Sequence, residues 1–258
     1  MKSSPACASS CGRNRFPVEF MTQVSNIADR IIAVKNRIEA LTLAAGRPSG
    51  SVNLLAVSKT FDADAVREAM AAGLRRFGEN KAQEIRDKSQ LLADTDIRWV
   101  MIGHLQTNKA RDIARHAHEI QSLDRMELAQ ALERRLQLEG RTMDALVQVK
   151  TSTEPSKFGL DPAELEDFLA YLSSEAPNLH VQGLMTMAVN DPDREAVRAC
   201  FRRLRELRDS MQGKNIPNIS LERLSMGMSG DYDLAIAEGS TEVRIGSAIF
   251  GERSYTSS

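Results

Sequence analysis

Residues 54–59 read LLAVSK, a short apolar run that ends in Ser58 and Lys59. Consecutive apolar residues, without the alternation of a half-exposed strand, are typical of a strand that is buried on both faces of a parallel sheet. We therefore predict a buried strand over residues 52–57. The hydroxyl of Ser58 and the amine of Lys59 are then expected at its carboxyl end.

Similar strand-like runs follow along the chain, and segments with helical spacing or helix caps separate them. The predicted strands cover residues 52–57, 75–78, 97–102, 119–123, 145–149, 181–187, 221–224 and 243–250. The predicted helices cover residues 62–72, a segment through Leu92, 108–117, 125–138, 161–171, 192–211 and a segment from Asp231. Alternating units of about 20–30 residues favour a single α/β domain, a (β/α)8 TIM-type barrel, over an open doubly wound sheet.

The chain before the first strand has two parts. Residues 21–45 carry apolar side chains at helical spacing, so we predict a leading N-terminal helix there. Residues 1–20 are rich in serine, have no acidic residue before Glu19 and lack the apolar segment of a secretory signal. We expect a disordered tail at residues 1–20, rather than an organellar transit peptide, and one barrel domain over residues 21–258.

The composition argues against several classes of protein. The formal net charge is −1, whereas nucleic-acid-binding proteins are usually strongly basic. The three cysteines are too few for a disulfide framework, and no apolar segment is long enough to cross a membrane, so we expect a cytoplasmic protein. The histidines lack metal-ligand spacing, and the sequence has no glycine-rich nucleotide loop and no Gly-x-Ser-x-Gly motif.

Polar and glycine-rich residues lie near the carboxyl ends of most predicted strands, where the active sites of such barrels form. These residues are Ser58, Lys59, Glu79, Asn80, Gly103, His104, Lys150, Thr151, Met185, Thr186, residues 225–229, Arg244, Gly246 and Ser247. Lys59 is the candidate nucleophile, because partial burial at the end of an apolar strand favours the neutral form of an amine. The alternative is a lysine that extends its ammonium into solvent.

Two small turns near the end of the chain are candidate phosphate sites. Residues 225–229 (SMGMS) offer two hydroxyls and a glycine before a predicted helix, and Gly246-Ser247 offers a second turn. Backbone N–H groups at such turns bind phosphate, and these barrels often hold phosphate after strands seven and eight. The alternative is two ordinary tight turns. Arg244 lies within an apolar strand and needs a partner, either a barrel glutamate or a ligand.

Six stretches of the sequence carry a resemblance to a known family. They are LLAVSKT (54–60), FGENKAQE (77–84), WVMIGHLQTNKA (99–110), SLDR (122–125), GLMTM (183–187) and LSMGMSGDYDLAIAEGSTEVRIGSAIFGERSY (224–255). Together they closely resemble the pyridoxal phosphate homeostasis protein family (YggS/PROSC). The resemblance implies a barrel similar to the N-terminal domain of alanine racemase, with pyridoxal 5′-phosphate (PLP) as its cofactor.

The resemblance also implies roles for individual residues. Lys59 matches the lysine that forms a Schiff base with PLP, and Asn80 matches a residue near the ring. Arg244 matches the arginine that approaches the pyridine nitrogen. Phosphate contacts are implied for the two turns. The implied cofactor-binding residues are Lys59, Asn80, Ser225, Met226, Gly227, Ser229, Arg244, Gly246 and Ser247.

Three positions depart from the family's usual pattern. Phe61 stands where a second lysine is frequent, which argues against a transfer route through that lysine. Lys150 ends a Gln-Val-Lys segment that usually reads close to QVN, which changes the polarity near the fifth strand. Phe158 lies in a loop that usually reads SKSG and here reads SKFG.

The resemblance favours a carrier of PLP over an enzyme. An arginine cannot act as the acid that keeps the pyridine nitrogen protonated, so the ring is a weaker electron sink. Three residues follow Tyr255, so we expect no second domain of the racemase type. We predict a monomeric, non-catalytic protein of PLP homeostasis that supplies PLP-dependent apoenzymes. The alternatives are a PLP-dependent amino-acid racemase or decarboxylase, and a Schiff-base aldolase-type barrel without PLP.

Overall fold

The structure, a computed structural model, describes residues 26–152 and 158–251. Its strands within these ranges are β1 (Asn53–Val57), β2 (Arg76–Glu79), β3 (Arg98–Met101), β4 (Glu119–Leu123), β5 (Met143–Gln148), β6 (Leu179–Met185), β7 (Arg223–Met228) and β8 (Glu242–Ile245). They form a closed parallel barrel in chain order. β1 pairs with β8 to close it, with Leu55 opposite Arg244. The barrel prediction is confirmed, and the open sheet is excluded.

Helices surround the barrel. They are α1 (Ile27–Ala44), α2 (Ala63–Ala71), α3 (Ala82–Leu91), α4 (Ala110–His116), α5 (Met126–Glu139), α6 (Leu165–Glu175), α7 (Arg194–Gln212), α8 (Tyr232–Ala237) and α9 (Ser247–Phe250). α1 precedes the first strand, as predicted, and packs against α2, α8 and α9. The predicted tail and the start of the predicted leading helix lie outside the described residues. Across the described ranges, no helix combines the length and apolarity needed to cross a membrane.

Several helices begin at the residues that the sequence indicates. The side chain of Asp62 accepts a hydrogen bond of 2.9 Å from the Ala65 amide and caps α2. Asp161 accepts a similar bond from the amide of Ala163, but the residues after it form one turn of 3-10 helix before α6. α6 continues to Glu175, beyond its predicted end near residue 171, because Leu172 still packs in the core.

The predicted eighth strand over residues 243–250 is too long. β8 ends at Ile245, and the amides of Ile249 and Phe250 donate to the carbonyl of Gly246 at 2.9 and 3.0 Å. The apolar residues after Gly246 therefore form α9. An apolar run alone does not distinguish a strand from a buried helical turn.

The predicted seventh strand over residues 221–224 ends too early. β7 extends to Met228 and includes Ser225 and Gly227, which were expected in a turn. The register between β7 and β8 shifts between Ser225 and Met228. Polar residues that face the barrel interior, and a glycine at the shift, conceal this strand from a search for apolar runs.

The interior of the barrel has an apolar part and an ionic part. Leu55, Val57, Val100 and Ile102 form the apolar cluster. At the amino ends of the strands, two arginines donate to two buried carboxylates at 2.6–3.1 Å. We call these four residues the ionic layer: Arg76, Glu119, Arg223 and Glu242. They fill the end of the barrel opposite to the candidate site.

Candidate functional site

A cavity of about 460 Å³ opens at the carboxyl ends of the strands. This volume lies in the range of small-molecule sites, about 300–1,000 Å³. Six of the predicted binding residues line it: Lys59, Asn80, Ser229, Arg244, Gly246 and Ser247. The structure therefore brings together residues from β1, β2, β7, β8 and the turns that follow these strands.

Lys59 follows β1 directly, and the backbone on both sides of it is fixed by hydrogen bonds. The hydroxyl of Ser58 is buried and donates to Glu79 Oε1 at 2.6 Å. The amide of Thr60, which has a left-handed φ of 70°, donates to Glu84 Oε2 at 3.1 Å. Lys59 itself is half-buried and lines the cavity. The side chain of Lys59 therefore extends from a backbone segment that hydrogen bonds hold in place.

Arg244 is a buried cation at the floor of the cavity, with 4% of its surface exposed. Its Nη1 donates to the hydroxyl of Ser225 and its Nη2 to the carbonyl of Thr186, each at 2.8 Å. Burial lowers the pKa of Arg244 to about 10, although the nearby carboxylates of Glu242 and Asp231 act in the opposite direction. Arg244 therefore remains a cation at neutral pH, held by neutral groups rather than by the barrel glutamate that was the alternative.

The two predicted phosphate turns meet on one side of the cavity. The hydroxyls of Ser229 and Ser247 lie 3.4 Å apart, and Gly230 and Gly246 line the cavity beside them. A Cβ at Gly246 would lie 3.0 Å from the carbonyl oxygen of Val57, so this position favours glycine. Convergent hydroxyls and small turns of this kind can surround a phosphate group.

The remaining predicted residues lie in β7, behind the cavity lining. Ser225 and Met226 are fully buried. Gly227 has a left-handed φ of 97°, and a Cβ there would lie 2.6 Å from the Cβ of Ala235. Ser225 contacts Arg244 rather than the cavity, and Gly227 lets β7 pack closely against α8.

Two aromatic contacts at the cavity were not predicted from the sequence. The ring of Phe158 stacks on His104, with centroids 3.9 Å apart and an interplanar angle of 17°. Phe61 stacks on Phe250 at 5.1 Å. Phe61, His104 and Phe158 all line the cavity. The position of His104 directly after β3 was the available signal, but nothing local in the sequence indicates that Phe158 lies above it.

His104 also faces a carboxylate. Its Nδ1 lies 3.5 Å from Oδ2 of Asp124, a buried residue that Arg125 also contacts at 2.6 Å. Among the described residues, no group of three or more His, Cys, Asp or Glu side chains could hold a metal ion.

Comparison with known proteins identifies the family. The family described as alanine racemase, N-terminal domain, matches residues 31–254. The chain belongs to this family. A pyridoxal phosphate homeostasis protein of Pseudomonas aeruginosa is 45% identical over 90% of this chain and 98% of its own length. One of Aquifex aeolicus is 41% identical over 89% of this chain and 100% of its own. The resemblance noted in the sequence is confirmed.

Solved structures agree with this assignment. PipY of Synechococcus elongatus, in a structure with PLP bound, is 38% identical and has a TM-score of 0.77, with 88% of this chain and 100% of that chain covered. An alanine racemase of Clostridium difficile covers 90% of this chain and 58% of its own, with a TM-score of 0.70 at 12% identity. The racemase likeness concerns the barrel fold alone.

Proposed function

We propose that this protein binds PLP in the barrel cavity, holds it as a Schiff base on Lys59, and acts in PLP homeostasis. The observation that carries the proposal is the placement of Lys59, Arg244 and the Ser229–Ser247 hydroxyl pair around one cavity. An amine, a cation and a cluster of phosphate-binding groups are the three features that a phosphorylated pyridine aldehyde requires. The relative PipY with PLP bound, and the relatives named as homeostasis proteins, support the same cofactor.

The residues fit PLP group by group. The hydroxyls of Ser229 and Ser247, with the small turns at Gly230 and Gly246, suit the phosphate. The guanidinium of Arg244 suits the pyridine nitrogen, and the amide side chain of Asn80 suits the polar edge of the ring. The Nζ of Lys59 adds to the aldehyde carbon, and one water leaves as the C=N bond forms. Behind the cavity lining, the hydroxyl of Ser225 holds Arg244 in place. Met226 and Gly227 contribute to the packing of β7.

The role that we propose is that of a carrier. PLP supplies a reactive aldehyde and, in enzymes, an electron sink. Arg244 is a donor only, so it leaves the ring nitrogen unprotonated and weakens that sink. The attachment to Lys59 protects the aldehyde, and the Schiff base can be reversed when an apoenzyme takes up the cofactor. We propose a cytoplasmic monomer as the working form.

One experiment tests the cofactor and its attachment together. The purified protein is reduced with borohydride, digested and analysed by mass spectrometry, and its absorbance spectrum is recorded before reduction. We expect a Schiff-base absorbance band and a pyridoxyl group on the peptide that contains Lys59. K59A should lose both, whereas K109A, which removes an exposed lysine of the same barrel face, should keep both. An unchanged spectrum in K59A would exclude attachment at Lys59.

A second candidate is a PLP enzyme, and His104 is the observation that favours it. Its imidazole lines the cavity and lies 3.5 Å from the Asp124 carboxylate, an arrangement suited to proton transfer. Racemisation and decarboxylation are measured over the common amino acids with the wild type, K59A and H104Q. Turnover above that of free PLP, lost in both variants, would replace the carrier by an enzyme.

A further inference from the structure

A buried polar cluster lies directly beneath Lys59, outside the cavity. The Nζ of Lys88 donates to Glu79 Oε1 at 2.7 Å and to the carbonyl of Ser58 at 2.9 Å. The same Glu79 oxygen accepts from the hydroxyl of Ser58 at 2.6 Å. Glu84 accepts from the Thr60 amide at 3.1 Å. The cluster therefore binds the residue before Lys59 and the residue after it.

The second oxygen of Glu79 is in an unusual state. Glu79 is fully buried, and its Oε2 has no hydrogen-bond partner among the described residues. The Glu84 carboxyl lies beside Glu79, because the Nζ of Lys88 is 2.7 Å from Glu79 Oε1 and 3.8 Å from Glu84 Oε2. A buried acceptor without a donor is costly. One proton between the two carboxyl groups supplies the missing donor.

The net charge of the cluster also favours a single proton on the two carboxyl groups. It contains two carboxyl groups, Glu79 and Glu84, and one buried ammonium, Lys88, whose Nζ lies 3.8 Å from Glu84. With one proton, Glu79, Glu84 and Lys88 together carry no net charge, which a buried site favours, whereas Lys81, near Glu84, is exposed to solvent. The pKa shifts of the two carboxyl groups agree with one shared proton. Burial, then the contact with Glu84, raises the pKa of Glu79 to about 8. Burial would raise the pKa of Glu84, but the bonds from Glu79 and Thr60 lower it overall.

We propose that Glu79 and Glu84 share one proton, and that this acid–carboxylate pair positions Lys59 for cofactor attachment through Ser58 and Thr60. The proposal rests on the proposed function for its consequence, the attachment of PLP at Lys59. Glu79 and Glu84 are positioning residues, because they act through the backbone on either side of the lysine.

Loss of the shared proton has a definite effect. The groups that face the pair are Ser58 at the end of β1, Lys88 on α3, the Thr60 amide and, near Glu84, Lys81. Without the proton, the buried carboxylate of Glu79 and the partly buried carboxylate of Glu84 lie together against one buried ammonium. The repulsion separates them, and the contacts to Ser58 and Thr60 must change. PLP affinity should therefore fall as pH rises past about 8.

The pair is tested first in the apoprotein, by infrared spectroscopy over a pH series. A protonated carboxylic acid absorbs apart from carboxylates, so we expect one buried acid band that titrates away in the alkaline range. E79Q should remove this band. E133Q, which removes another buried carboxyl far from Lys59, should keep it. A wild-type spectrum without a buried acid band at neutral pH would overturn the proposal, and this measurement needs no variant to fold.

PLP binding then tests the positioning role. Glutamine at position 79 imitates the neutral acid, since it can accept from Lys88 and donate to Glu84. E79Q should bind PLP and lose the alkaline fall in affinity. E79L removes the carboxyl partner of the buried Lys88 ammonium, so it should bind PLP at least about tenfold more weakly than the wild type. Equal affinities for E79L and wild type, or the same alkaline fall in E79Q, would refute positioning. If K59A keeps the Schiff-base absorbance band, the proposed attachment at Lys59 fails, while the infrared result is decided independently.

Discussion

Arg244 donates a hydrogen bond of 2.8 Å to the hydroxyl of Ser225, and that hydroxyl donates onward to Gln121 Oε1 at 2.7 Å. The amide nitrogen of Gln121 donates in turn to Glu119 and Glu242 of the ionic layer. Neutral side chains thus connect the arginine of the cavity with the carboxylates at the other end of the barrel. They fix the guanidinium without placing a carboxylate against it, which leaves its positive charge available to a ligand.

The first prediction concerns Ser225. S225A removes the acceptor of Arg244 and the donor to Gln121, and it leaves two buried groups unsatisfied. We expect a loss of about 1–3 kcal/mol in the free energy of unfolding, together with weaker PLP binding. Urea unfolding and PLP titration measure the two effects. S240A is the matched control, since Ser240 is an equally buried hydroxyl that bonds backbone carbonyls. It should lower stability and leave PLP affinity unchanged. Equal PLP affinities for S225A and wild type would contradict the positioning of Arg244 by this serine.

The second prediction concerns the ionic layer. Glu242 is buried and accepts from Arg76 and Arg223 at 2.6 and 3.1 Å. E242Q leaves the two guanidinium groups with one carboxylate fewer, so we expect a loss of about 3–5 kcal/mol of stability, the range for broken buried ion pairs. E222Q changes an exposed glutamate one strand away and should alter stability by less than about 0.5 kcal/mol. Urea unfolding measures the free energy of unfolding of both variants. A loss of the same small size in E242Q would show that the layer contributes little to stability.

The acid side of the stability profile follows from the same carboxylate. Burial would raise the pKa of Glu242, but Arg76 and Arg223 outweigh it and lower the pKa overall. A carboxyl with a depressed folded-state pKa stabilises the fold above its unfolded value of 4.5, and this contribution disappears as pH falls below that value. The difference in unfolding free energy between wild type and E242Q should therefore shrink in acid. A difference that is independent of pH would contradict this.

The third prediction concerns Glu79, which behaves in the opposite way. Its folded-state pKa is raised to about 8 from 4.5, so between these values the folded protein holds a proton that the unfolded chain releases. The contribution of this group to stability falls as pH rises through the window. Glutamine does not titrate, so the unfolding free energy of E79Q minus that of wild type should increase from about pH 4.5 to about pH 8 and then level off. Urea unfolding at several pH values measures it, with E222Q as the flat control. A constant difference for E79Q would show that Glu79 is ionised throughout.

Much of this architecture is predictable from the sequence, because apolar runs such as residues 54–57 record burial on both faces of a strand. Lys59 could be selected for its place at the end of such a run. β7 was harder to delimit, since Arg223 and Ser225 face the interior of the barrel, where the ionic layer and Arg244 supply polar partners. A strand with polar residues on its buried face does not produce an apolar run.

The contacts between distant segments could not be predicted in the same way. Phe158 and His104 lie 54 positions apart, and no periodicity relates them. The cluster of Glu79, Glu84 and Lys88 depends on the packing of α3 beside β2. The spacing of Glu84 and Lys88 is helical, but the sequence alone suggests an exposed pair of charges rather than a buried one. Lys88 is buried only because α3 packs beside β2 in the folded barrel.

The fourth prediction tests the phosphate end of the cavity. The double variant S229A/S247A removes two hydroxyls that lie 3.4 Å apart. Hydrogen bonds to a charged group contribute about 1.5–3 kcal/mol each, so PLP affinity should fall at least about tenfold. Affinity for pyridoxal, which lacks the phosphate, should not change. S210A, at an exposed serine of α7, is the control. Equal losses for both ligands would mean that these hydroxyls support the cavity without contacting phosphate.

The fifth prediction concerns the mouth of the cavity, where Phe158 covers His104. The carbonyl of Phe158 accepts from the side chain of Gln148 at 2.9 Å, which ties the residue to the end of β5 while half of its surface stays exposed. An aromatic pair of this geometry contributes about 0.5–1.5 kcal/mol. F158S, which restores the residue usual in the family, removes the stack and should release PLP about two- to tenfold faster, with little change in the rate of binding. Release is followed by stopped-flow absorbance with an apoenzyme as acceptor. L138S, at an exposed apolar residue of α5, controls for the loss of surface hydrophobicity and should not alter release.

H104Q should accelerate PLP release as F158S does. The double variant should add little more, because either change removes the same stack. Additive effects of the two changes would mean that Phe158 and His104 retain the cofactor independently.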